Sequence, residues 1–252
     1  MVDFVGAGCG AADLITVRGA ELLKKADVII YAGSLVNPAL LTYAKPECVI
    51  YNSAKMTLDQ VIEVMEQAEK QGLHTVRLHT GDPSVYGAIR EQMDRLISLG
   101  IPYEVCPGVS SFCGAAAALK AEYTLPNVSQ SVIITRMAGR TPVPEKESIR
   151  AFAAHNATMV IFLSAGMTEG LQKELLAGGY TEETPAAIVY KASWPDQKVM
   201  RCTVGTLHKT AVENGIGNLA LITVGGFLGS DYELSKLYDP AFTTAFRKGT
   251  DQ

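Results

Sequence analysis

The sequence predicts an α/β protein of two α/β domains, an N-terminal one on a parallel sheet and a C-terminal one on a mixed sheet. Three observations carry this. From residue 2 to 119, short apolar or β-branched runs alternate with helical stretches, the order that builds parallel strands joined by right-handed crossovers. Around 120–130 the period lapses, with Leu125-Pro126-Asn127 inside it. That marks a junction and divides the chain into 1–120 and 121–252. Beyond it, strand-like runs at 186–190 and 198–203 flank Trp194-Pro195-Asp196, as the arms of a hairpin would, and a hairpin brings antiparallel pairing into the second sheet.

Composition excludes several classes. The 252 residues are 48% hydrophobic and 19% charged, globular values unlike those of a disordered chain. A formal charge of −4 argues against a nucleic-acid partner. The apolar run 115–119 is short and bounded by Gly114 and Lys120, so no membrane helix is expected. Residues 1–4 lead directly into strand-like sequence without the regions of a signal peptide, which points to the cytoplasm. The five cysteines, Cys9, Cys48, Cys106, Cys113 and Cys202, form no C-x-x-C pair, and in a reducing compartment they read mostly as small buried hydrophobes. The four histidines show no metal-binding spacing, and no metal is expected.

Residues 2–5 read as the first strand. The glycine-rich turn 6–11 leads into a helix with Asp13 as N-cap and Leu14, Val17, Leu22 and Leu23 facing inward. The turn satisfies G-x-G-x-x-A, but a dinucleotide site also asks for an acid at the end of the second strand. That strand, 27–31, ends in Tyr31-Ala32 and has Asp27 at its start. A tight turn beside some ligand is therefore the reading kept. Strand 48–51 precedes a helix over 57–71, opened by the capping box Thr57 and Gln60 and stopped by Gly72. Strand 75–79 ends in Thr80-Gly81-Asp82-Pro83, with a helix from Ser84 to about Leu99. Strand 102–106 ends in Pro107-Gly108-Val109-Ser110-Ser111, with a small-residue helix over 111–119.

Gly, Asp and Pro are ordinary turn formers, and chain reversal is one reading of Thr80-Gly81-Asp82-Pro83. A ligand site is the other, because open α/β sheets bind small molecules outside the carboxyl ends of their strands. Strands one, four and five all end in such turns, while connections at the opposite edge lack this composition. That contrast favours the ligand. In the second half the pattern gives strands at 131–136, 158–163 and 219–225 and helices at 145–154, 167–177 and 207–214. The loop 137–144 carries Arg140 close to Arg136, and the tail beyond Gly229 is expected to be extended or mobile.

The segments GAGCGAADLITVRG, LHTGDPSVYG, CPGVSSF, ITRMAGRTPVPE, FLSAG and VYKASWPDQK together resemble the tetrapyrrole methylases. These are S-adenosylmethionine (SAM) enzymes of the cobalamin and sirohaem pathways. The likeness runs from Val2 to about Gly226. TRMAGRTPVPE and YKASWPDQK are most similar to the branch that methylates precorrin-4 at C11. Uroporphyrinogen methylases more usually carry Gly-Gly-Asp-Pro where this chain has Thr80-Gly81-Asp82-Pro83. The resemblance implies the tetrapyrrole methylase fold, SAM in a cleft between the domains, a homodimer, and C11 methylation of precorrin-4 or its cobalt complex, with S-adenosylhomocysteine leaving. It also implies SAM contacts from Cys9, Thr80, Gly81, Asp82, Val85, Ser110, Ser111, Leu163 and Ala192. The first turn departs from the family pattern, with Cys9 in place of Pro and Ala11 in place of Asp.

Methyl transfer from a sulfonium centre asks the protein chiefly for alignment. This suits a chain with no triad or carboxylate dyad, and no catalytic residue is assigned. Asp82 is expected to hold the ribose or ammonium of the cofactor, or only its own turn. A macrocycle bearing acetate and propionate groups needs local cations on a protein of net negative charge. Arg136, Arg140 and Lys191 are the candidates, against ordinary surface pairing. Tyr86 would pack on the macrocycle or cofactor, or lie in the core. His79 is expected at a strand end with its hydrogen bonds satisfied, and Cys113 in the core. Three other functions stay open: methylation at another ring position, methylation of a macromolecule, and non-catalytic tetrapyrrole binding.

Overall fold

The structure, a computed structural model, describes residues 1–33 and 35–250; the last two positions of the tail lie outside it. The chain divides into two units, one of Met1–Ala115 with Lys191–Gln197, the other of Ala116–Tyr190 with the described residues from Lys198 on. Residues 116–120 thus lie in the second unit, and 191–197 in the first.

In the first unit, β1 (Val2–Gly6), β2 (Val28–Tyr31), β3 (Val49–Asn52), β4 (Thr75–His79) and β5 (Tyr103–Cys106) form one parallel sheet in the order β3-β2-β4-β1-β5. Every residue of β1 and β4 is buried, as expected of central parallel strands covered on both faces. Alternate residues serve opposite faces. Val5, Ile29, Val76 and Leu78 pack with Leu23 of α1 (Val17–Lys25). Phe4 and Ile30 pack with Met65 of α2 (Leu58–Lys70) and Leu96 of α3 (Ile89–Ser98). The helix α4 (Ser111–Leu119) follows β5.

Helix ends follow their local hydrogen bonds, and two of them correct the sequence reading. Thr16, not Asp13, caps α1, its side chain accepting from Gly19 N. Asp13 sits in a single 3-10 turn before it. Because the helix starts later, Leu14 and Val17 fall outside its inner face and are 41% and 84% exposed. The capping box of α2 forms as expected, between Thr57 and Gln60. The helix α3 begins at Ile89 and not at Ser84. Tyr86 and Ala88 have φ of 56° and 49°, left-handed values that a helix cannot contain.

In the second unit, β6 (Val132–Arg136), β7 (Thr158–Phe162), β8 (Pro185–Tyr190), β9 (Lys198–Thr203) and β10 (Ala220–Val224) order as β6-β7-β10-β8-β9. Only β6 and β7 are parallel; β8 and β9 form the expected hairpin, with Tyr190 opposite Lys198. The core is Met159, Ile161, Ile188 and Ile222 under Leu171 and Leu175 of α6 (Thr168–Gly178) and Leu207 of α7 (Leu207–Glu213). The single helix expected over 145–154 is broken. A 3-10 turn, Glu145–Glu147, precedes Ser148, whose side chain accepts from Ala151 N and caps α5 (Ile149–Ala153). No helix of the described residues is long and apolar enough to cross a membrane.

Candidate functional site

Strands β4, β1 and β5 are neighbours, so the turns at their carboxyl ends meet. They meet backbone to backbone. Gly81 N donates to Gly8 O at 3.0 Å, Gly8 N to Gly81 O at 3.2 Å, and Ala7 N to His79 O at 2.7 Å. A Cβ on Gly108 would lie 2.2 Å from Gly81 O, and one on Gly6 would lie 2.5 Å from Gly108 Cα. Only glycine allows so close an approach. Gly81 itself has φ of +62°, and its Cα faces the backbone of Ser110 and Ser111, which a Cβ would meet at 3.4 Å.

Asp82 joins two of these turns. Its Oδ1 accepts from Ser84 N at 2.8 Å and from the Ser84 hydroxyl, and its Oδ2 accepts from Gly108 N at 2.8 Å. Burial alone would push this carboxyl up. The three donors outweigh burial and hold it below the usual carboxylate range. A carboxylate offers about four acceptor positions, so Asp82 works first as a charged brace across the site. Val85 N closes the same turn on Asp82 O at 3.2 Å. Beside it, the Thr80 hydroxyl is buried without a hydrogen-bond partner among the described residues, and Ser110 is 7% exposed.

The first turn is completed by a segment far away in sequence. Cys9 is buried, and a Cβ on Gly114 of α4 would lie 2.7 Å from its Cβ. The Ser193 hydroxyl accepts from Ala11 N at 2.9 Å and lies 3.7 Å from Cys9 Sγ. A Cβ on Gly10 would lie 2.2 Å from Ala192 O. The first unit therefore gathers Cys9, Thr80, Gly81, Asp82, Val85, Ser110, Ser111 and Ala192 around one strand edge. Ser193, which reaches back 182 positions to Ala11, and Asn37, whose Nδ2 donates to Gly10 O at 2.9 Å, were missed in sequence. No local spacing announces either.

The remaining candidates divide between the units. Leu163, at the end of β7, is 58% exposed with φ of 53°, a strained setting for an apolar residue and a mark of functional sites. Behind it the fully buried Ser164 hydroxyl donates to Phe162 O at 2.7 Å and accepts from Met137 N at 2.9 Å. Arg136 donates to the carbonyls of Met137, Thr141 and Pro142, which shapes the loop that carries exposed Arg140. In the first unit Lys191 pairs with Asp196 at 2.6 Å, and its ammonium lies 5.2 Å from the Trp194 ring centre. Tyr86 is 45% exposed, so it is not a core tyrosine.

Two expectations are overturned. Cys113 is exposed, because the face of α4 that turns inward is that of Gly114 and Ala115. The hydrogen bonds of His79 are not satisfied: the residue is 4% exposed, its ring stacks 6.1 Å from Phe4, and Nε2 has no partner among the described residues. It shares its strand face with Arg77 and lies against Phe4. Burial first, and then the charge of Arg77, lower its pKa to about 3. The site thus offers small side chains, glycine turns, one unpartnered hydroxyl and one braced carboxylate. That composition can hold and orient a small polar ligand.

Residues 1–208 match the family described as Tetrapyrrole (Corrin/Porphyrin) Methylases. A cobalt-precorrin-4 C(11)-methyltransferase from Methanocaldococcus jannaschii is 54% identical, over 98% of this chain and 96% of that one. The solved structure of a cobalt precorrin-4 methyltransferase superposes with a TM-score of 0.89 at 44% identity, covering 91% and 96% of the two chains. A uroporphyrin-III C-methyltransferase from Thermus thermophilus, solved with S-adenosylhomocysteine, gives 0.76 at 27% identity, covering 90% and 92%.

Proposed function

This chain belongs to the tetrapyrrole methylases, and from that premise we propose that it transfers a methyl group from SAM to C11 of precorrin-4 or cobalt-precorrin-4 in cobalamin biosynthesis. The names of its relatives support the ring position. The observation that carries the SAM reading is the meeting of three glycine turns at one sheet edge with a buried, unpartnered Thr80 hydroxyl among them. A buried polar atom without a partner asks for one, and a polar cofactor supplies it.

Bound SAM supplies an electrophilic sulfonium methyl group and a neutral thioether leaving group. The residues proposed to hold it are Cys9, Thr80, Gly81, Asp82, Val85, Ser110, Ser111, Leu163 and Ala192. The Thr80 hydroxyl donates or accepts one hydrogen bond, and the glycine turns let the ligand approach backbone closely. Asp82 acts chiefly by fixing the turns after β4 and β5 against each other. On the substrate side, Arg140 meets a carboxylate, Arg136 holds the loop that presents it, and Lys191 and Tyr86 border the macrocycle. No side chain acts as acid or base; the rate gain is alignment. The protein is proposed to work as a homodimer in the cytoplasm, with light scattering at twice the chain mass as the check on assembly.

Calorimetric titration tests the cradle. Wild-type protein is expected to bind SAM, and Asp82→Ala to weaken binding by about tenfold or more, since it takes the partner from the half-buried Gly108 amide. Equal affinity in the two proteins would mean that these turns do not hold the cofactor.

A further inference from the structure

The strand β4 also carries buried polar groups that methyl transfer does not use. Arg77 is 7% exposed and lies beside Phe4 and Ile30, its register partners, on a strand face it shares with buried Thr75 and His79. Its guanidinium has no carboxylate partner among the described residues. A buried cation is tolerated only where its donors are met. Here Nε donates to Gln92 Oε1 at 3.0 Å and Nη1 to Ile30 O at 3.1 Å.

Gln92 passes the contact on. It is 5% exposed on α3, and its Nε2 donates to Ala88 O at 3.0 Å. The arginine decides which way this amide points, because an oxygen that accepts from the guanidinium leaves the NH2 group for Ala88. A continuous link therefore runs from the sheet, through Arg77 and Gln92, to the turn before α3.

That turn needs holding. Tyr86 and Ala88 both lie in the left-handed region, which residues with a Cβ rarely enter. Gly87 between them folds back on Pro83, where a Cβ would lie 2.1 Å from the carbonyl oxygen. No side chain of the described residues caps the start of α3. Such a conformation persists only where its surroundings over-determine it.

We infer that Arg77 and Gln92 are positioning residues that lock the turn 85–88 and so set Val85 and Tyr86 for cofactor and macrocycle. The second half of that statement rests on the function proposed above.

Two variants test it. Gln92→Met keeps the length and loses both bonds. Gln92→Glu keeps the acceptor for Arg77 and loses only the donor to Ala88, and it serves where the methionine variant does not fold. Amide exchange at 86–88 is expected to quicken about tenfold in either, and KM for the tetrapyrrole to rise by about the same factor while kcat stays within about twofold. A purely structural role elsewhere would lower the melting temperature without that split. Unchanged exchange in both variants overturns the brace. Faster exchange with KM and SAM affinity both unchanged overturns the positioning role. If wild-type protein binds no SAM, the reading of the site falls instead, and exchange alone decides whether the brace stands.

Discussion

His79 is kept neutral at the end of β4, its ring against Phe4 and one nitrogen unpartnered. Its pKa falls to about 3 in the folded protein, against about 6.5 in an unfolded chain. Between those values the unfolded state binds the extra proton, so stability falls as pH is lowered through the window. The slope is up to about 1.4 kcal/mol per pH unit, and above the window His79 adds no pH dependence. Melts of wild type and His79→Phe from pH 7 to 4 check this, with wild type expected to lose stability more steeply. Parallel curves would mean that His79 is not held neutral. At this scale the sequence was least legible. Thr80, Gly81 and Asp82 could be picked out as a group, but the roles of Asp82, Ser193 and Gln92 depend on partners that chain order does not reveal. Asp82 was expected to hold the cofactor or only its own turn, and its bond to Gly108 N, which ties that turn to the next, follows from neither reading.

Strands were read well because apolar runs between Gly and Pro turns survive any tertiary detail. Helix starts were read less well. In α1 the true start is set by the Thr16 side chain capping Gly19 N, and in α3 by the left-handed backbone at Tyr86 and Ala88. Apolar periodicity contains neither. The turns after β1, β4 and β5 are interlocked, and Gly108→Ala tests how tightly. The added Cβ would lie 2.2 Å from Gly81 O, and overpacking of this kind costs about 1–3 kcal/mol. The variant is expected to melt lower and to bind SAM more weakly. Gly217→Ala, whose Cβ would enter open space, should change neither. Equal behaviour of the two variants would show that the turns can part without consequence.

For the whole molecule, the sequence carried the order of strands and helices, the mixed character of the second sheet and the family. It did not show that 191–197 joins the first unit, because a segment between two hairpin strands reads locally as no more than their connection. That segment brings Ala192 and Ser193 to the Cys9 turn, so the candidate cofactor site draws on residues far apart in the chain. Charge follows the same logic. A formal charge of −4 would oppose the carboxylates of the proposed substrate, and exposed Arg140, on the loop held by Arg136, is the local cation proposed to offset it. The most direct test of the central claim uses methyl-13C-labelled SAM with precorrin-4 and with cobalt-precorrin-4, and locates the label by NMR. One added methyl group, at C11, is expected with at least one of the two substrates; label at another ring carbon, or no transfer to either, would contradict C11 methylation.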